Sequence, residues 1–145
     1  MRELVAAILA SLLGAIALLH ASWAVGALWP GKSEADLIAK AIGDGRRHMP
    51  SRPVIWLVAG LIGIAAVWPL LLVMRPAAHL AGAVIRLGGG VLALVFLARG
   101  GAGYALAWRQ AHPVEPFARL DRSFYSPLCL VIGSGLAYLV LGGLA

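Results

Sequence analysis

The sequence predicts an all-α membrane protein: a bundle of four transmembrane helices with a short interfacial helix in its first loop. Three observations carry this reading. The apolar fraction is 61% and the mean hydropathy +0.90, above the roughly half-apolar balance of soluble domains. Four apolar runs each reach or exceed the ~18–20 residues that cross a bilayer's hydrocarbon core. The charged residues fall almost entirely between those runs. A chain of 145 residues has room for one such body and no second domain.

The first span, about 4–29, is interrupted only by Ser11, His20 and Ser22. It is too long for the roughly 7–15-residue apolar region of a signal peptide, and the segment before it carries Glu3. It reads as an uncleaved span, ended by Pro30-Gly31. In the loop 30–52, Ser33-Glu34-Ala35-Asp36 resembles a capping box. Leu37, Ile38, Ala41 and Ile42 follow at helical spacing, and Gly43 stands where a helix C-terminal glycine belongs. This short amphipathic helix lies on the membrane surface or serves as a capped connector. The second span, 53–74, contains Pro69, which is expected to kink it.

The third span, 77–99, carries His79 and Arg86. A single helix from Ala77 to Arg109 would be roughly 50 Å long, against ~30 Å of hydrocarbon. Arg99 and the Gly100-Gly101-Ala102-Gly103 stretch therefore offer a break, with Tyr104 to Trp108 at the interface. The fourth span, 127–145, is expected to start with Ser126 as N-cap and Pro127 in the first turn.

Loop 30–52 contributes Lys32, Lys40, Arg46, Arg47 and Arg52, and loop 109–126 adds Arg109, Arg119 and Arg122. These eight basic residues stand against two, Arg2 and Arg75, on the other side. The bias places both long loops in the cytoplasm and both termini outside. The net charge of +6 thus serves orientation and contact with anionic lipid, and no nucleic-acid partner follows from it.

Two groups of residues can carry chemistry. Arg86 lies ~13 Å into the third span. All six acids lie outside the spans, so Ser11, Tyr138, backbone carbonyls, a lipid phosphate or a neighbouring subunit are its expected partners. The plain alternative is an arginine that snorkels to the surface. The second group gathers at the cytoplasmic end: His20 and Trp23, three apart on one helix face, with Trp56, Arg99, Tyr104, Trp108, Asp121, Arg122, Tyr125 and Ser126. If the helices converge there, these residues ring a pocket with aromatic walls and a few polar groups, as ligand sites have. The plain alternative is an interfacial aromatic belt with a structural Asp121–arginine pair.

Other chemistries lack their residues. A single cysteine, Cys129, excludes an internal disulfide or dithiol pair. The four histidines are not at one depth on facing spans, as a bis-histidine haem requires. No ligand spacing for zinc occurs, and no carboxylate lies within a span for proton-coupled export. No cofactor is expected.

His20-Ala-Ser-Trp23 with Gly26 and Trp29-Pro30, Arg99-Gly100 with Gly103-Tyr104, and Tyr125-Ser126-Pro127-Leu128-Cys129 with Gly133 together resemble an uncharacterised family of small bacterial four-helix integral membrane proteins, a domain of unknown function. The resemblance covers most of the chain and implies fold and location but no activity. The expected location is the bacterial inner membrane. The expected function is binding or moving a lipid or lipophilic anion through the pocket at the cytoplasmic end. The alternative is an accessory subunit packed against a larger membrane complex, or against copies of itself. An enzyme with His20 as base and Asp121 orienting it is the least favoured reading.

Overall fold

The computed structural model describes residues 1–74 and 79–142. The expected Arg75-Pro76 turn, the start of the third span at Ala77 and the last three residues of the fourth lie outside the described residues.

The chain is all-helical, and no strand occurs among the described residues. The elements are α1 (Arg2–Ala24), α2 (Glu34–Ala41), α3 (Arg52–Val73), α4 (His79–Ala102), α5 (Leu106–Ala111), α6 (Phe117–Leu120), a π turn (Asp121–Tyr125) and α7 (Ser126–Leu141). Four stretches are long and apolar enough to cross a membrane: Arg2–Ala24, Arg52–Val73, Leu80–Ala102 and Phe117–Leu141. Large apolar side chains such as Leu18, Leu61, Leu94 and Val131 point outward. Hydrocarbon solvates them as well as a protein core would, so close packing rather than water exclusion holds the helices together.

The bundle is two helix pairs. α1 lies along α3 and α4 lies along α7, each far more extensively than any contact between the pairs. Glycines let α4 and α7 approach. A Cβ at Gly133 would come within 2.9 Å of the Leu97 backbone nitrogen and 3.0 Å of the Ala93 carbonyl oxygen, both immovable. The pairs meet in a core of Ala6, Leu9, Leu13, Ala65, Leu72, Ala93, Ile132, Leu136 and Leu139. These residues occupy the half of the bundle nearer Arg2. At that end the Arg2 guanidinium donates to the carbonyls of Leu139 (3.0 Å) and Leu72 (3.4 Å). It thereby ties the C-terminal ends of α7 and α3 to the start of α1, where a cation is favoured by both helix dipoles.

Several boundaries differ from the expected ones. α1 stops at Ala24 rather than at Pro30-Gly31. Gly26 takes a left-handed φ of 96°, and the N–H groups of Gly26 and Ala27 return to the carbonyls of Trp23 and Ser22. The glycine closure ends the helix before the proline is reached. α2 forms with one half of the expected capping box: Ser33 Oγ accepts from the Asp36 N–H at 3.2 Å, whereas the Asp36 carboxylate accepts from the N–H of Lys32, one residue before the cap, and from the Lys40 ammonium, both at 2.8 Å. Its apolar face, Leu37 and Ile38, is buried, and the helix packs on α6. Gly43 follows with φ 73°, and a Cβ there would collide with the Phe117 ring. α4 continues past Arg99 to Ala102 and breaks at Gly103-Tyr104.

The largest difference is the fourth span. Ser126 is not an N-cap, and helix does not begin at Pro127. The helical path starts at Phe117 and passes through the π turn into α7. Pro127 has no N–H to give, and in a regular α-helix its ring would press on the carbonyl four residues back. The wider π turn immediately before it relieves that crowding. The segment 109–126 is therefore mostly helix rather than loop.

Candidate functional site

Because the two helix pairs are packed together in the half near Arg2, they part toward His20. A cavity of about 410 Å³ lies between them there. Its walls come from all four spans: Ile16, Leu19, His20 and Trp23 of α1, Ile62 of α3, Phe96 and Arg99 of α4, and Leu128, Cys129 and Ile132 of α7. Phe117, Phe124 and Tyr125 close it on one side, and Pro30 and Lys40 on another. The segment carrying α2 crosses this end and is fastened to the opposite pair by two bonds. Tyr125 OH donates to the Lys40 carbonyl at 3.0 Å, and the Val114 N–H to the Gly43 carbonyl at 3.1 Å.

The cavity is apolar and aromatic with three polar groups at its end. His20 Nδ1 lies 2.8 Å from the Ile16 carbonyl oxygen. A carbonyl can only accept, so Nδ1 is the donor in this bond and Nε2 has no partner among the described residues. The Lys40 ammonium spends donors on the Pro30 carbonyl (3.1 Å) and on Asp36 (2.8 Å). Arg99 donates to Asp121 at 2.6 Å and to Ser126 Oγ at 3.4 Å. An ammonium has three N–H donors and a guanidinium five, so both retain donors for a ligand.

Behind Arg99 stands a fully satisfied network. Asp121 is 2% exposed and accepts from Arg99, from Trp108 Nε1 at 3.0 Å and from Ser126 Oγ at 3.3 Å. The Arg99 guanidinium also sits 4.5 Å over the Trp108 ring, a cation–π contact. Trp108 stacks on His112 at 4.1 Å, and the ring series continues through Phe117 and Tyr125 to Phe124. The whole arrangement depends on Gly103, where any Cβ would strike Ser126 Oγ and come within 2.9 Å of Asp121 Oδ2.

A model of a protein family of unknown function, DUF3995, matches residues 13–136. The chain belongs to this family. No curated protein and no solved structure matches the chain. The family match encloses every cavity residue from Ile16 to Ile132, whereas Arg2 falls outside it.

Within this family member, the residues singled out from sequence divide into three sets. His20, Trp23, Arg99 and Tyr125 line the one cavity, His20 and Trp23 with ring centroids 4.7 Å apart. Asp121 and Ser126 stand behind it as partners of Arg99, and Tyr104 OH holds the Arg122 carbonyl at 3.1 Å, away from the cavity. Arg86 is elsewhere. It is exposed, one turn along α4 from the contact of Gly89 with Val140 and away from the cavity. Neither Ser11 nor Tyr138 accepts from it among the described residues. The His20–Asp121 pairing of an enzyme does not form, since Ile16 orients His20 and Asp121 is saturated by Arg99, Trp108 and Ser126. Among the described residues no group of histidine, cysteine and carboxylates could hold a metal ion. Sequence reasoning missed Lys40 and Phe117. The Asp36–Lys40 spacing of a helical ion pair pointed to the first. Pro116 ahead of Phe117, a helix-start signal, pointed to the second.

Proposed function

We propose that the protein binds, or moves, a lipid or lipophilic anion in the cavity between its two helix pairs. One observation carries this reading: a space of about 410 Å³ with apolar and aromatic walls ends in Lys40 and Arg99, each with unspent N–H donors, beside His20. Acyl or prenyl chains suit such walls, and an acidic head group suits such an end. An accessory subunit calls instead for a filled interior and a broad face of small residues. The location we propose is the bacterial inner membrane, with loops 30–52 and 109–126 in the cytoplasm, on the strength of their eight basic residues against Arg2 and Arg75.

The test is photolabelling. The full chain is reconstituted with a phospholipid carrying a photoreactive acyl chain. Adducts are expected at Phe96 and Cys129 inside the cavity, and excess unlabelled lipid should suppress them. Outward residues such as Leu94 and Val131 are labelled without saturation. Adducts at outward positions alone would overturn the proposal.

A further inference from the structure

The Arg99–Asp121 pair is a partition with a second cavity on its other face. While Arg99 lines the lipid-sized cavity, Asp121 lines a separate space of about 380 Å³, with Trp108, Arg109, His112, Glu115 and Arg122 around it. Its wall is built rather than incidental. Trp108 is fixed by its bond to Asp121 and by stacking on His112, and Tyr104 pins the backbone of Arg122.

The charges here are unequally occupied. Asp121 has both oxygens engaged. Glu115 accepts the Arg119 N–H at 3.2 Å. The cations, in contrast, are open. Arg109 has no hydrogen-bond or ion-pair partner among the described residues. Arg122 gives only Nε, to the Ala118 carbonyl at 3.1 Å, and keeps its terminal nitrogens. Asp121 is bound on both oxygens while the two guanidinium forks keep open terminal nitrogens, an arrangement that takes an anion despite the exposed Glu115 at the rim. Two forks gripping one ligand bidentately need at least three acceptor oxygens, which a phosphate has and a carboxylate lacks.

We propose that this second cavity binds a phosphate group, either free in solution or on a lipid head group, through Arg109 and Arg122. The site is independent of the lipid cavity: it lies on the other side of the partition and uses none of its open donors.

The test uses the full chain in phosphate-free dodecyl maltoside micelles, with the side-chain Nε–H signals of Arg109 and Arg122 followed by nitrogen-15 NMR. One arm adds inorganic phosphate, and the other adds phosphatidylglycerol without inorganic phosphate. Movement of both signals with inorganic phosphate supports a soluble ligand, and movement with phosphatidylglycerol alone supports a lipid head group. The double variant Arg109→Ala with Arg122→Ala is expected to lose at least about tenfold in affinity for the active probe. Arg47→Ala, an exposed cation away from the cavity, is expected to keep it. The proposal is overturned if neither probe moves the two signals, or if Arg47→Ala loses as much as the double variant. Should the double variant fail to fold, the wild-type spectra decide alone.

Discussion

Asp121 is the residue on which the network at the His20 end of the bundle turns. Its side chain is 3% exposed and that of Arg99 30%, so the pair is desolvated on the acid's side and only partly on the base's. Removing one member leaves a charge stranded beside apolar walls, which costs about 3 kcal/mol or more, whereas replacing both with apolar groups is often neutral. Asp121→Asn is therefore expected to destabilise the fold strongly, and Asp121→Leu combined with Arg99→Leu to recover much of the loss. Unfolding by titrated denaturing detergent measures both. A double variant as unstable as the single one would show that the bond to Trp108, not the charge pair, dominates. Gly103 supplies a second residue-scale test. Gly103→Ala forces a methyl group against Ser126 and Asp121 and is expected to cost about 1–3 kcal/mol by overpacking. A thermal midpoint unchanged from wild type would mean that α4 ends differently.

At the scale of elements, the apolar runs made the four spans legible, because length and hydropathy alone decide what crosses a bilayer. Their ends were harder to read. Pro30 looked like the stop of α1, but Gly26 stops it first by its backbone conformation. The polar stretch 109–126 looked like loop, but most of it is helical and Pro127 sits inside a helix that a π turn makes room for. The cap of α2, a purely local pattern, was legible residue by residue. It also gives a prediction. Ser33→Ala should remove about 1 kcal/mol from the helix, read as lost amide-exchange protection over residues 34–41. The effect of pH has a definite sign. The Lys40 ammonium, helped by the Lys32 N–H, holds the Asp36 carboxyl below its ordinary range. A lowered folded-state value stabilises above the unfolded one and loses that contribution as protons are added. Protection of α2 is thus expected to be flat from neutrality to about pH 5 and to fall below about pH 4. Protection that rises on acidification would contradict the assigned ion pair.

For the whole molecule, the alternation of spans was enough to place His20, Arg99 and Tyr125 at one end, since sidedness follows from chain order. The cavity was not legible, because it depends on which helices pair. The pairing of α1 with α3 and α4 with α7 rests on matched side-chain shapes, such as Gly133 against Leu97, that no periodicity reveals. Orientation remains a statement about charge, and a reporter fused after Ala145 tests it: a signal of the outer compartment is expected, and a cytoplasmic one would reverse the topology. The pairing also bears on how the protein is made. Each pair is formed by consecutive spans, the first complete by Val73 and the second drawn wholly from the residues after it. A translocon releasing the chain from its N-terminus delivers one finished hairpin before the next has emerged. The halves 1–75 and 76–145, synthesised as separate polypeptides, are accordingly expected to insert on their own and to co-purify. The cavity between the pairs belongs to neither hairpin, so it comes into being only at the final docking step, and nothing could enter it before biogenesis is over.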